Sequence, residues 1–233
     1  MPKELINKLK TSNIYLTSRG EVEKLNDIIK NDVRSSGSKM ENKADMVNFH
    51  KMEVTNNDSI LNFRNLVESE QGKIDILINN AGQYFAPSDD PEEHMQQVEQ
   101  TLATNYWGMK NVCKAFLPMM NPAARIVNLS SHLGHLSMIP GAKLQSQLGD
   151  KYLTEDALDS LMNEYEEHCR VAKNDFSEAG WPACAYSVSK VESCNEDSSK
   201  ILEEGFVKNL FLVKNLYQLS TTLSLDPVSI SPT

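Results

Sequence analysis

The chain has 233 residues, enough for one sizeable hydrophobic core and short for two, so a single domain is expected. With 40% hydrophobic and 24% charged residues it has the composition of an ordinary globular protein, which argues against global disorder and fibrous repeats. Acidic residues number 32 against 23 basic ones, a formal charge of −9. No dense basic stripe interrupts that acidity, so nucleic acid and anionic membrane surfaces are poor partners.

The most apolar stretches, around Ile74 to Ile78 and Leu210 to Leu219, are far shorter than a bilayer span. The N-terminus reads Met-Pro-Lys-Glu and lacks the apolar core of a secretory signal. Cys113, Cys169, Cys184 and Cys194 show no CxxC spacing, which favours reduced thiols and a cytoplasmic location.

In chain order, residues 4–10 read as the end of a helix, and Asn13-Ile-Tyr-Leu-Thr17 is a β-branched and aromatic run suited to a buried strand. Glu21 to Lys30 returns to helical spacing through Val22, Leu25, Ile28 and Ile29. A polar stretch from Arg34 to Lys43 reads as a surface loop before a strand at Val47 to Val54. Asp58 is placed to cap a helix reaching Ser69, with Ile60, Phe63, Leu66 and Val67 on one face.

Ile74-Asp-Ile-Leu-Ile78 predicts a further buried strand. The acidic group Asp89-Asp90-Pro91-Glu92-Glu93 suits a solvated helix start, and that helix carries Met95, Val98, Leu102 and Tyr106 on a core-facing stripe. Arg125-Ile-Val-Asn-Leu129 is the next strand. Alternating strands and helices predict a three-layer α/β sandwich with a mainly parallel sheet.

Beyond Ser131 the alternation stops. Thr154 is a natural N-cap, Glu155 and Asp156 suit the positive end of a helix, and Leu158, Leu161, Met162 and Tyr165 supply the helical period. Residues 132–182 therefore read as a helical insertion. From residue 191 the chain turns polar (Glu192 to Lys200) and then weakly apolar, and it contains no internal repeat.

Four features stand together: Asn79-Asn80-Ala81-Gly82 after one strand, Asn105 in the following helix, Ser130-Ser131 after the next strand, and Tyr186-Ser-Val-Ser-Lys190. In an open parallel sheet the carboxyl ends of neighbouring strands converge on one crevice. Tyr186 and Lys190 are one helical turn apart and share a face. An ammonium there favours the phenolate, lowering the tyrosine toward the working range of a general acid or base. Ser131 is placed to hydrogen-bond the same carbonyl oxygen of a substrate as Tyr186 and stabilise developing negative charge.

At these residues the sequence resembles the short-chain dehydrogenase/reductase family, and within it the monomeric carbonyl reductases, over roughly residues 5 to 190. Ordinary members have the serine about a dozen residues before the tyrosine; here the interval is 55 positions (186 − 131). A long helical insertion of this kind marks the carbonyl reductase branch, where it covers the surface that other members use to oligomerise. Gly180-Trp181-Pro182 also matches that branch.

The resemblance implies a Rossmann-like fold and, position by position, a set of roles. Tyr186 is the proton donor, Ser131 the substrate-orienting hydroxyl, and Lys190 the residue that binds the nicotinamide ribose and tunes Tyr186. Asn105 holds the water linking Lys190 to solvent. Asn80, with Ala81 and Gly82, lies in the loop along the adenosine side of the cofactor. Glu53 and Val54 stand where the family has Asp followed by an aliphatic residue at the adenine ring. Arg19 ends the first recognisable strand, where an acidic residue would select NAD; a guanidinium there pairs with a 2′-phosphate, so the cofactor implied is NADP(H).

Tyr84 and Phe85 either line the substrate cleft or serve in the core. His132 and His135 form an HxxH pair without an evident third ligand, so no metal is expected. Cys113 and Cys184 read as buried small apolar residues rather than nucleophiles.

Two departures from the family accompany the match. The TGxxxGxG turn that lets backbone amides approach a pyrophosphate is absent, since no glycine precedes Gly20. With it goes the central strand expected between those near Asn13 and Ile74. After Lys190 the usual Pro-Gly segment is missing as well. The chain thus reads as an incomplete Rossmann-like domain with a divergent tail over 191–233.

The functional expectation is NADPH-dependent reduction of aldehyde, ketone or quinone carbonyls by a monomer. The alternative is a catalytically silent, truncated or spliced variant with an interaction role or no stable fold. A YxxxK-bearing sugar epimerase or dehydratase is disfavoured by the Asn-Asn-Ala-Gly loop and the insertion.

Overall fold

A computed structural model describes residues 13–20, 47–172, 176, 179–191 and the backbone of 208–212. The helices predicted at 4–10 and 21–30, the loop at 34–43 and most of the tail lie outside the described residues. The chain divides into two compact units, Met1–Leu66 with Asn215–Thr233, and Val67–Lys214.

In the first unit, β1 (Ile14–Ser18) and β2 (Val47–Lys51) pair in parallel from Ile14 opposite Val47 to Ser18 opposite Lys51. Tyr15 stacks on His50 at 5.7 Å, and Phe63 of the following helix closes on both rings. β2 stops three residues before the predicted Val54. The Glu53 carboxylate accepts the amide and hydroxyl of Thr55, and Asn56 N–H bonds the Glu53 carbonyl at 3.1 Å. These local bonds turn the chain out of the strand.

Helix α1 (Asn57–Gln71) is capped by Asn56, whose Oδ1 accepts Ser59 N–H at 2.9 Å, and not by the predicted Asp58. Ser59 Oγ in turn accepts Glu53 N–H at 2.9 Å, which ties the chain before the cap to the first turn of the helix. Asp58 lies in the first turn instead, where its charge suits the helix dipole. The helix ends at Gly72, whose φ of 73° is the left-handed conformation of a helix stop.

In the second unit, β3 (Ile74–Asn79), β4 (Met120–Leu129) and β5 (Lys208–Leu212) form a parallel sheet in the order β3-β4-β5. All the described strand pairings are parallel. β4 begins five residues before the predicted Arg125. The extra length includes Pro122 and coincides with an irregular register, Ile74 opposite Met120 but Ile76 opposite Arg125, the setting in which a strand tolerates a proline.

Between these strands runs a continuous helical stretch: α2 (Pro91–Leu102), a π-helical segment (Ala103–Gly108) and α3 (Met109–Phe116). Asp90 caps it, accepting Glu92 and Glu93 N–H at 2.9 and 2.8 Å, with Pro91 at the first helical position. Its predicted stripe is buried: Val98, Leu102 and Tyr106 enter the main core and Met95 packs at its edge.

The insertion contains α4 (Ala142–Leu148) and α5 (Glu155–Ala172), and Thr154 Oγ1 caps α5 through Ala157 N–H at 3.2 Å. Leu158, Leu161, Met162 and Tyr165 of α5 bury against the α2 stripe, together with Trp181 and Val188. A polar seam adds to this contact. Lys110 of α3 pairs with Asp159 and with Glu155 at 2.7 Å, Lys114 reaches Glu155 at 2.6 Å, and Tyr106 donates its hydroxyl to Asp159 at 2.7 Å.

The chain returns from the insertion where Gly141 N–H bonds the Gly180 carbonyl at 2.9 Å. A methyl group on Gly180 would meet Gly141 Cα at 2.7 Å. Helix α6 (Ala185–Val191) then follows, with every residue except Tyr186 buried.

Candidate functional site

The carboxyl ends of β3 and β4 and the inner face of α6 supply the side chains of the site. β4 ends at Leu129, and the next two residues leave the sheet as hydroxyls. Ser131 is extended and caps a short 3-10 turn, its Oγ accepting Leu133 N–H at 3.3 Å. Its side chain is also hydrogen-bonded to the phenol of Tyr186. Ser130 Oγ donates to the Lys190 carbonyl at 3.2 Å.

Lys190 is 7% exposed and donates its ammonium to the Leu129 carbonyl at 2.9 Å. The same nitrogen lies 5.8 Å from the centroid of the Tyr186 ring. The helical spacing of Tyr186 and Lys190 thus puts phenol and ammonium side by side, with Ser131 facing the phenol.

Burial is the main influence on Tyr186 and pushes its phenol above the ordinary 10; the Ser131 hydrogen bond acts in the opposite direction and does not overcome it. This corrects the expectation of a phenol lowered by its neighbouring ammonium. The Lys190 nitrogen is turned to a backbone carbonyl and meets Tyr186 through the ring. A phenol held this way keeps its proton at neutral pH, the state a proton donor requires.

The loop after β3 closes the other side. Gly82 is the point of contact: a Cβ there would lie 3.4 Å from Asn105 Oδ1 and 3.6 Å from Lys190 Nζ. Asn105 sits in the π-helical segment, a helical irregularity that recurs at functional sites. Its carboxamide bonds both backbone groups of Gln83, accepting the N–H at 2.8 Å and donating to the carbonyl at 2.9 Å. Tyr84, 56% exposed, sets its ring edge-on to Tyr186 at 5.3 Å and 89°. Phe85 is half-buried, and Asn80 and Ala81 are exposed in the same loop.

Ser131, Tyr186, Lys190, Asn105, Gly82 and Tyr84 are therefore gathered in one place. Arg19, Glu53 and Val54 belong to the first unit, with Arg19 exposed directly after β1. Glu53 has its carboxylate folded onto Thr55, and Val54 is in the turn beside it. His132 and His135 have ring centroids 6.5 Å apart, and His135 Nδ1 bonds Ser137 Oγ at 3.1 Å. Among the described residues, no three His, Cys, Asp or Glu side chains gather as metal ligands. Cys113 is buried and Cys184 half-buried.

Sequence reasoning missed three participants: Ser189, which accepts from Asn105; Gly134, whose Cβ position lies 2.4 Å from the Lys190 carbonyl oxygen; and the Leu129 carbonyl on the ammonium. Gly134 and Ser189 each leave a mark in the sequence, a glycine three residues past Ser131 and a hydroxyl beside Lys190. Neither carries a spacing rule, because their partners come from other elements.

Parallel strands joined by helices, with polar groups converging at the strand ends, define a Rossmann-like α/β protein. Solved structures agree. The chain superposes on menthone neomenthol reductase from Mentha piperita with a TM-score of 0.69, covering 81% of this chain and 75% of that one at 24% identity. For salutaridine reductase from Papaver somniferum the TM-score is 0.64 and the coverage 82% and 72%, again at 24% identity.

The short chain dehydrogenase family model matches residues 16–143, more than half of the sequence, and the chain belongs to that family. Among curated proteins it is 37% identical over 145 residues to carbonyl reductase (NADPH) 1 of Mus musculus, which covers 61% of this chain and 51% of that protein. It is 32% identical over 201 residues to short-chain dehydrogenase/reductase 1 of Saponaria officinalis, covering 76% and 64%. The chain thus spans about half the length of the carbonyl reductases it matches. Among the described residues, no helix is long and apolar enough to cross a membrane.

Proposed function

We propose that this protein is an NADPH-dependent reductase of aldehyde, ketone or quinone carbonyls, with Tyr186 as proton donor. The observation that carries the reading is the hydrogen-bonded Ser131–Tyr186 pair with the Lys190 ammonium against the Tyr186 ring. Support also comes from membership of the short chain dehydrogenase family and from relatives named carbonyl reductase (NADPH).

The residues suit the ribose and adenosine portions of a nicotinamide dinucleotide chemically. Gly82 brings bare backbone, without a side chain, to within reach of the Lys190 ammonium and the Asn105 amide. Lys190 would hold the ribose hydroxyls, and the exposed Asn80-Ala81-Gly82 run would lie along the adenosine side. The resemblance to the family assigns Glu53 and Val54 to the adenine and Arg19 to a 2′-phosphate, for which a guanidinium is suited. The cofactor supplies hydride to the carbonyl carbon when bound.

The chain's own residues do the rest. Ser131 and Tyr186 hydrogen-bond the substrate oxygen and fix its orientation, and the two donors stabilise the negative charge that develops there. Tyr186 then delivers its proton to that oxygen, leaving an alcohol. Lys190 meets the phenolate that remains through its ring, and Asn105 holds the water through which the proton is replaced. Tyr84 and Phe85 line the substrate side. Action as a monomer in the cytoplasm belongs to the same proposal.

Quenching of intrinsic fluorescence by NADPH, followed by cofactor consumption with a quinone or an aromatic ketone, tests the reading. Tyr186→Phe removes the proton donor and is expected to lower kcat by about 100-fold or more, the usual contribution of general acid catalysis, while leaving NADPH binding in place. Unchanged turnover in that variant would sink the mechanism. Absence of NADPH binding would sink the cofactor assignment.

A further inference from the structure

The hydrogen bonds of Asn105 lead to a residue outside the proton-donating group. Its carboxamide has one arrangement that works: Oδ1 must accept Gln83 N–H, and Nδ2 must donate to the Gln83 carbonyl, because the flipped amide would set donor against donor and acceptor against acceptor. The second Nδ2 hydrogen goes to Ser189 Oγ at 3.0 Å, across 84 positions of sequence. Ser189 is 1% exposed. Having accepted from Asn105, its hydroxyl places its single proton on the Tyr186 carbonyl at 2.9 Å. A directed chain of bonds therefore runs from the Gln83 backbone through Asn105 and Ser189 to the Tyr186 carbonyl.

We infer that Ser189 is a positioning residue: by fixing the Asn105 amide it fastens the loop after β3 to the catalytic helix α6. Gln83 is the anchored residue, and its two neighbours are the ones that matter. Gly82 borders Lys190 Nζ, and Tyr84 abuts the Tyr186 ring. Loss of the Ser189 hydroxyl leaves a buried amide hydrogen without its acceptor and frees Asn105 to turn away from Gln83. The effect on turnover rests on the proposed reductase reading; the fastening itself does not.

The experiment compares amide hydrogen exchange at Gln83 and at Ile126, in the middle of β4, by NMR in the full chain and in Ser189→Ala. The expected result is exchange about five- to tenfold faster at Gln83, the effect of one neutral hydrogen bond, with Ile126 unchanged. Under NADPH with a quinone, kcat is expected to fall by a similar factor while KM for the quinone stays within about twofold.

Unchanged exchange at Gln83, or equal acceleration at both amides, would overturn the inference. A loosened Gln83 with unaltered kcat would overturn its link to catalysis. Wild-type protein that reduces no carbonyl would overturn the reductase reading alone, since the exchange measurement needs no turnover. If Ser189→Ala does not fold, Ser189→Cys, a much weaker acceptor and donor, is read by the same criteria.

Discussion

Two glycines with nearly the same backbone conformation separate conformational strain from packing. Gly72 has φ 73° and Gly180 φ 74°, so an alanine at either costs about 1–2 kcal/mol for left-handed backbone. At Gly72 nothing lies within 4 Å of a new Cβ, and Gly72→Ala is expected to cost no more than that. At Gly180 the Cβ would meet Gly141 Cα at 2.7 Å, which adds about 1–3 kcal/mol of overpacking. Urea denaturation of the two variants should show Gly180→Ala as clearly the less stable. Equal losses would mean that the Gly141 crossing is not a tight contact.

Ser131, Tyr186, Lys190 and Asn105 are nominated by residue chemistry and by order along the chain, and the structure gathers them. The direction of the Tyr186 shift was not legible, because it depends on how much water the fold removes and where the Lys190 nitrogen points. Neither is encoded in an interval of four residues. The cap falls on Asn56 and not on Asp58 for a local reason. Three consecutive polar residues, Asn56, Asn57 and Asp58, are all capable caps, and the bonds of Ser59, whose N–H goes to Asn56 Oδ1 and whose Oγ accepts Glu53 N–H, select Asn56.

Among the elements, α5 shows how a helix with one apolar stripe acquires a single seat. Its stripe supplies burial, while Lys110 and Lys114 meet Glu155 and Asp159 on its first two turns. Burial works against the charge on Lys110, but hydrogen bonds and attraction from Asp159 and Glu155 outweigh it and hold its ammonium above 10.5. The two lysines hold Glu155 below the ordinary 4.5 against the opposing effect of burial.

Lys110→Met leaves Glu155 paired with Lys114 and Asp159 held by the Tyr106 hydroxyl without that cation. A loss of about 1–3 kcal/mol is expected, less than for a fully buried pair because both carboxylates retain some exposure. Asp159→Asn in the Lys110→Met background should restore part of it, a coupling that a double-mutant cycle by chemical denaturation measures. Strict additivity of the two substitutions would show that the pair is not coupled.

The strand and helix assignments were largely readable because their apolar residues recur with the period of the element they form. The boundaries that moved, β2 ending early and β4 starting early, moved where side-chain bonds or an irregular register compete with pairing. Such competition is settled by neighbours.

For the molecule as a whole, pH should act on stability through a buried base, His94, and a half-buried acid, Glu155. His94 is 3% exposed and neither ring nitrogen has a partner among the described residues. It packs edge-on against Phe176 at 5.7 Å, and His168 meets the same ring at 5.6 Å. Burial keeps the His94 imidazole below its ordinary 6.5, so the folded chain holds it neutral while the unfolded chain protonates it. The stability this contributes is present above about 6.5 and is lost as pH falls below it.

Glu155 has the acid's usual sign. Its folded value lies below the unfolded one, so its contribution is present above about 4.5 and disappears as pH falls through its lowered value. Acid should therefore weaken the fold in two stages, the His94 stage first. His94→Leu is expected to remove the earlier stage from the curve of Tm against pH and to hold or raise Tm at neutral pH, since two buried nitrogens vanish with it. Persistence of that stage in the variant would assign it to another group.

Local chemistry in the chain itself determined the alternation of strand and helix, the helical insertion and the candidate residues, because periodicity and capping need only near neighbours in sequence. Tertiary structure alone decided that Ser131 meets Tyr186, that Lys190 turns to Leu129, that Gly134 and Gly180 must be bare, and that Ser189 joins Asn105. These contacts unite residues from separate elements, and their geometry exists only once apolar burial has brought those elements together.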